Sequence, residues 1–75
     1  MSVKEYADAA DMIIAGYAYL KKDGYVEVVD LNNLDNRAVI QNDDVIESLM
    51  TDEEDDIVLN YYLNNKEFLE DAEVA

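Results

Sequence analysis

Nineteen carboxylates stand among 75 residues, and five of them are consecutive, from Asp52 to Asp56. Paired carboxylates can do general acid–base work when a pocket sets their protonation states apart. At this density close pairs are unavoidable, so pairing alone designates no site. The other reactive groups are missing. There is no histidine and no cysteine, which removes the usual general base, the thiolate nucleophile and the common transition-metal ligands. Ser2, Ser48 and Thr51 have no base to activate them and stand where capping or solvent explains them. Gly16 and Gly24 are the only glycines, too few for a phosphate-cradling loop. An Asp-rich stretch from Asp30 to Asp35 invites a calcium reading, but Leu34 stands where a ligand is needed and no glycine follows. The residues therefore predict no enzyme, no cofactor and no dedicated metal site.

Carboxylates can also bind. The run Asp52–Asp56 leads directly into Ile57, Val58, Leu59, Tyr61, Tyr62 and Leu63. Thr51 followed three residues later by Glu54 is a capping box, which predicts a helix from Thr51 to Ala72. Its core stripe would hold Ile57, Val58, Tyr61, Tyr62, Phe68, Leu69 and Ala72, with Asn64-Asn65 as a potential break. On the opposite side Asp52, Glu53, Asp56, Glu67, Glu70 and Asp71 line up, with Leu59 and Leu63 between the two acidic groups. A preceding segment adds Asp43, Asp44 and Glu47. Acids spaced along a surface with apolar groups between them suit a basic protein groove, where carboxylates meet the Lys and Arg that hold phosphates. Leu59 and Leu63 could equally be buried under a hairpin. First-turn acids are ordinary at a helix N-terminus, each worth about 0.3–1 kcal/mol against the dipole. Five in a row exceed that need, and a net charge of −14 exceeds the magnitude of about 2–8 that solubility asks of a small domain.

The elements that must position these residues read as follows. Ser2-Val3-Lys4-Glu5 is a capping box, and Val3, Tyr6, Ala10, Ile13, Tyr17 and Leu20 recur at helical steps, predicting a first helix that Gly24 stops. Met12 and Tyr19 fall on its other side and are candidates for a homo-oligomer interface, with Gly16 marking a close approach. Tyr25–Leu31 and Arg37–Gln41 read as strands joined by the turn chemistry of Asn32 to Asn36. Asn42 or Asp43 can cap a short helix through Met50. The expected fold is α+β, a single domain over residues 1–75 in the order α-β-β-α-α, with a two-stranded antiparallel hairpin packed on helices. The tail from Glu73 to Ala75 is expected to fray.

Charge is uneven. Residues 1–24 carry a net −1, residues 25–42 a net −2 and residues 43–75 a net −11. Such a block repels nucleic acid and acidic membranes and attracts basic surfaces. A content of 51% hydrophobic residues is too high for disorder. The apolar run Met12 to Leu20 spans only about 13 Å as a helix, far short of a bilayer of roughly 30 Å. Without cysteine the chain suits a reducing cytoplasm. In size, charge and asymmetry the chain resembles the small acidic proteins, often phage-encoded, that mimic DNA and block nucleic-acid-binding enzymes, anti-CRISPR and anti-restriction proteins among them. That resemblance implies an inhibitor acting through a basic, nucleic-acid-binding protein, with no direct contact to nucleic acid or membrane. Two further readings fit the composition: a structural homo-oligomeric module, possible as a homodimer through Met12 and Tyr19, and an antitoxin-like neutraliser of a basic toxin.

Overall fold

A computed structural model describes residues 2–74, with side-chain surroundings through Leu69. A five-stranded antiparallel meander lies between two helices of very different length. Helix α1 (Val3–Ala9) is followed by β1 (Met12–Ile14), β2 (Tyr17–Lys22), β3 (Tyr25–Asp30), β4 (Arg37–Gln41) and β5 (Asp44–Ser48), and α2 (Asp52–Val74) closes the chain. Each strand pairs with its sequence neighbours in the order β1-β2-β3-β4-β5.

The fold is α+β but not the expected α-β-β-α-α arrangement with a two-stranded hairpin. Most of the first predicted helix and the whole of the short one before Thr51 are sheet or turn instead. The capping box at Ser2 and Glu5 forms in both directions, but the helix it starts ends at Ala9, because Ala10 is extended. The chain from Met12 to Lys22 is a hairpin whose two-residue turn, Ala15-Gly16, places both residues at positive φ. The predicted helix from Asn42 to Met50 is likewise a hairpin arm. Asn42 and Asp43, at φ +55° and +62°, form a two-residue turn between Gln41 and Asp44, the geometry that matches strand twist.

The register sorts the side chains onto two faces. Met12, Tyr19, Val28 and Ala38 form one cross-strand row, and Val26, Ile40 and Val45 another. Both rows pack against Val58 and Leu69 of α2 in the main core. On the opposite face Ala18, Leu20 and Val29 pack against Tyr6 of α1. The short α1 leaves the remainder of that face open, where Glu27, Arg37, Val39, Glu47 and Leu49 line a cleft of about 500 Å³.

Gly16 has a defined role. It sits at φ +83°, and a β-carbon there would lie 3.3 Å from Asn32 Nδ2. Gly24 has a similar φ of +88° but open space around it. Both changes to alanine carry the left-handed backbone penalty of about 1–2 kcal/mol. Gly16→Ala is expected to lower the urea midpoint more than Gly24→Ala, because only Gly16 must also displace a side chain.

Candidate acidic surface on the C-terminal helix

Helix α2 starts where the sequence predicts. Thr51 Oγ1 accepts the Glu54 amide at 3.2 Å and its hydroxyl donates to Glu54 Oε1 at 3.3 Å. The helix is continuous through Asn64-Asn65, where Asn65 Nδ2 donates to the Tyr61 carbonyl at 2.9 Å. It extends through Val74, past the Ala72 limit and into the segment expected to fray; Ala75 lies outside the described residues. Its docking rests on Val58 and Leu69, both buried, with Tyr61, Tyr62 and Leu59 partly buried beside them. Phe68, expected in the core stripe, is instead 68% exposed.

The five-acid run divides by function. Glu54 is half-buried at the junction of α2 with the sheet. Its Oε2 accepts Asn36 Nδ2 at 2.7 Å and the Tyr17 hydroxyl at 3.2 Å. Asn36 also donates to Asp30 Oδ2 at 3.3 Å, so one carboxylate ties the helix start to β2 and to the loop between β3 and β4. Burial, followed by the bond to Glu54, raises the Tyr17 phenol above its ordinary pKa. Asp55 accepts the Ser48 hydroxyl and fastens the same turn to β5. Asp52, Glu53 and Asp56 are exposed, and no side-chain partner is found for them among the described residues. A direct contrast follows. Glu54→Gln, which loses an acceptor oxygen shared by two donors, is expected to cost about 1–2 kcal/mol in urea unfolding, reduced from a fully buried case by partial exposure. Glu53→Gln should change stability by at most about 0.5 kcal/mol.

The predicted partner-binding residues fall into separate groups. Asp52, Glu53, Asp56, Leu63 and Glu67 share the exposed side of α2; Leu63 is 41% exposed. Glu70 and Asp71 continue that helix, but their side chains lie outside the described residues. Leu59 is not on the acidic surface, because it packs partly buried against the main core. Asp43 and Asp44 sit at the β4–β5 turn rather than on a helix, and Asp43 pairs with Lys66 at 3.0 Å. Glu47 faces the open cleft on the other side of the sheet, away from α2. The candidate oligomer interface also changes. Tyr19 is fully buried, and its hydroxyl donates to the Val58 carbonyl at 2.8 Å; Met12 is half-buried at the sheet edge. Sequence reasoning missed Glu54 as a junction, because its capping role sufficed and nothing linked it to Tyr17 or Asn36.

These features define a small α+β domain with an antiparallel meander between two helices and a carboxylate-rich outer helix. The chain belongs to a family of unknown function (DUF7723), whose model matches residues 1–69. No curated protein and no solved structure matches it. Among the described residues no helix is long and apolar enough to cross a membrane.

Proposed function

We propose that this is a non-enzymatic, cytoplasmic inhibitor that lays the exposed side of α2 into a basic, nucleic-acid-binding site on another protein. The observation that supports this reading is the arrangement of Asp52, Glu53, Asp56 and Glu67. All four are exposed and lack side-chain partners among the described residues. They stand on a helix of 23 residues, about 34 Å long, which matches the 33 Å long axis of the molecule. The four acids cover about 22 Å of the helix, from Asp52 to Glu67, roughly two-thirds of the 34–36 Å of one turn of duplex DNA. Unpaired carboxylates over that span retain their full attraction for cations, whereas Glu54 and Asp55 are already engaged.

The test is capture from a nuclease-treated lysate on the immobilised protein. The retained set is expected to be enriched in basic nucleic-acid-binding proteins, released by salt and displaced by duplex DNA. At about 1 M salt the Debye length falls to about 3 Å, so retention that survives 1 M salt and ignores DNA would overturn the proposal.

A further inference from the structure

The two flanks of α2 differ. On the flank toward β5, Asp55 bonds to Ser48 and Lys66 pairs with Asp43. The opposite flank turns toward β2 and β1: Glu54 reaches Tyr17, and Tyr61 lies near enough to the Tyr17 and Tyr19 phenols to act on them electrostatically. At about 100° per residue, Ile57 and Phe68 lie just beyond Glu54 and Tyr61 on that flank. Ile57, Tyr61, Asn64 and Phe68 follow one another at steps of four, three and four, the spacing of a two-helix coiled-coil seam. Ile57 is 40% exposed and Phe68 68%. Below them the sheet ends at the three-residue β1, whose Met12 and Ile14 are half-buried on the side of the main core. Helix α1 packs on the other face of the sheet and does not cover this corner.

We infer that the corner between α2 and β1 docks a cationic amphipathic helix of the protein partner. The inference rests on the binding function proposed above and supplies the apolar half of that contact. Charge selects the occupant. Glu53 and Glu67, both exposed, border the seam on its outer side, in the place where flanking charges set partner choice in paired helices. A second copy of a chain carrying −14 would bring like charges to that border. A helix with leucine-type residues at matching spacing and lysines beside them satisfies both parts of the surface. Asn64 places one polar group in the seam, a feature that fixes register.

The probes are two synthetic peptides of about three heptads. One has leucines at seam positions and lysines elsewhere, and the other is a scramble of identical composition that cannot form an apolar face. By calorimetry at constant salt, the wild type is expected to bind the amphipathic peptide about tenfold more tightly than the scramble. Ile57→Ser with Phe68→Ser should abolish that preference, leave binding of the scramble unchanged and preserve the far-ultraviolet circular dichroism. Leu49→Ser, 71% exposed in the cleft on the other face of the sheet, should keep the preference. Equal, salt-sensitive binding of both peptides overturns the inference and leaves the acidic-binding function standing; binding of neither overturns both. A preference that persists in the seam double variant, or self-association of the chain alone that Phe68→Ser abolishes, overturns the inference as well.

Discussion

Replacing Tyr19 with alanine is expected to be the most damaging single change to this domain. The ring is fully buried among Val26, Val28, Ala38, Ile40, Val58 and Leu69. Truncating a buried aromatic costs about 3–5 kcal/mol. A folded chain of this length holds only roughly 4–11 kcal/mol in total, at 0.05–0.15 kcal/mol per residue. Urea unfolding followed by circular dichroism should show most of the transition lost. Tyr19→Phe keeps the ring and removes only the bond to the Val58 carbonyl, at about 1 kcal/mol. The same residue makes the domain sensitive to alkali. Burial raises the Tyr19 phenol well above its ordinary pKa of 10.0, with smaller contributions from Tyr17 and Tyr61. The folded state therefore holds this proton more tightly than the unfolded chain does. That stabilisation is fully present below pH 10 and is lost as pH rises beyond it toward the folded-state value. Tyr19→Phe should accordingly lose less stability than the wild type between neutral pH and pH 11. Parallel losses in the two proteins would show that Tyr19 is not the responsible group.

The second large effect is on binding. The combined change of Asp52→Asn, Glu53→Gln, Asp56→Asn and Glu67→Gln removes four charges without touching Glu54 or Asp55, which hold α2 to the sheet. Partner capture is expected to weaken by about fourfold at the least and by about a thousandfold at most, since exposed charge pairs contribute about 0.2–1 kcal/mol each. Stability should move by no more than about 1 kcal/mol, because lost dipole interactions at Asp52 and Glu53 oppose the relief of repulsion. Unchanged capture by a folded variant would exclude these carboxylates as the contact surface. Changing Asp55 in the same series would confuse the result, because its bond to Ser48 is part of the fold.

The parts of this fold that were legible in the sequence are those governed by local chemistry. Both capping boxes mark helix starts, the β-branched run from Tyr25 to Asp30 is a strand, and the Asn and Asp residues between Leu31 and Asn36 form the loop. The misread segments share a physical cause. In β2, Tyr19 faces α2 while Ala18 and Leu20 face α1, so three successive residues are buried. The period-two alternation of a half-exposed strand is erased, and a helical stripe fits the same letters equally well. In β5 the polar residues lie at an exposed sheet edge with a register shift opposite Val39 and Ile40; Asn42 and Asp43 then look like helix caps rather than the left-handed pair of a tight turn. For the candidate surface, Asp52, Glu53, Asp56 and Glu67 follow from helical periodicity alone. Leu59, Glu47 and Tyr19 could not be placed without the sheet, because their burial depends on strands that the pattern did not reveal.

The neighbour-to-neighbour order of the strands also bears on how the chain is made. Three of the four connections are two-residue turns and the fourth spans residues 31–36, so the sheet closes small loops at low entropic cost. Proteins dominated by such short-range pairings fold quickly for their class. The helix that covers the sheet comes last, and Val58 lies 39 residues beyond Tyr19, whose hydroxyl it accepts. During synthesis, therefore, the residues that α2 covers, Tyr19, Val28 and Ile40 among them, are made before their cover. The main core cannot close until α2 has left the ribosome, so any meander formed earlier carries an uncovered apolar face.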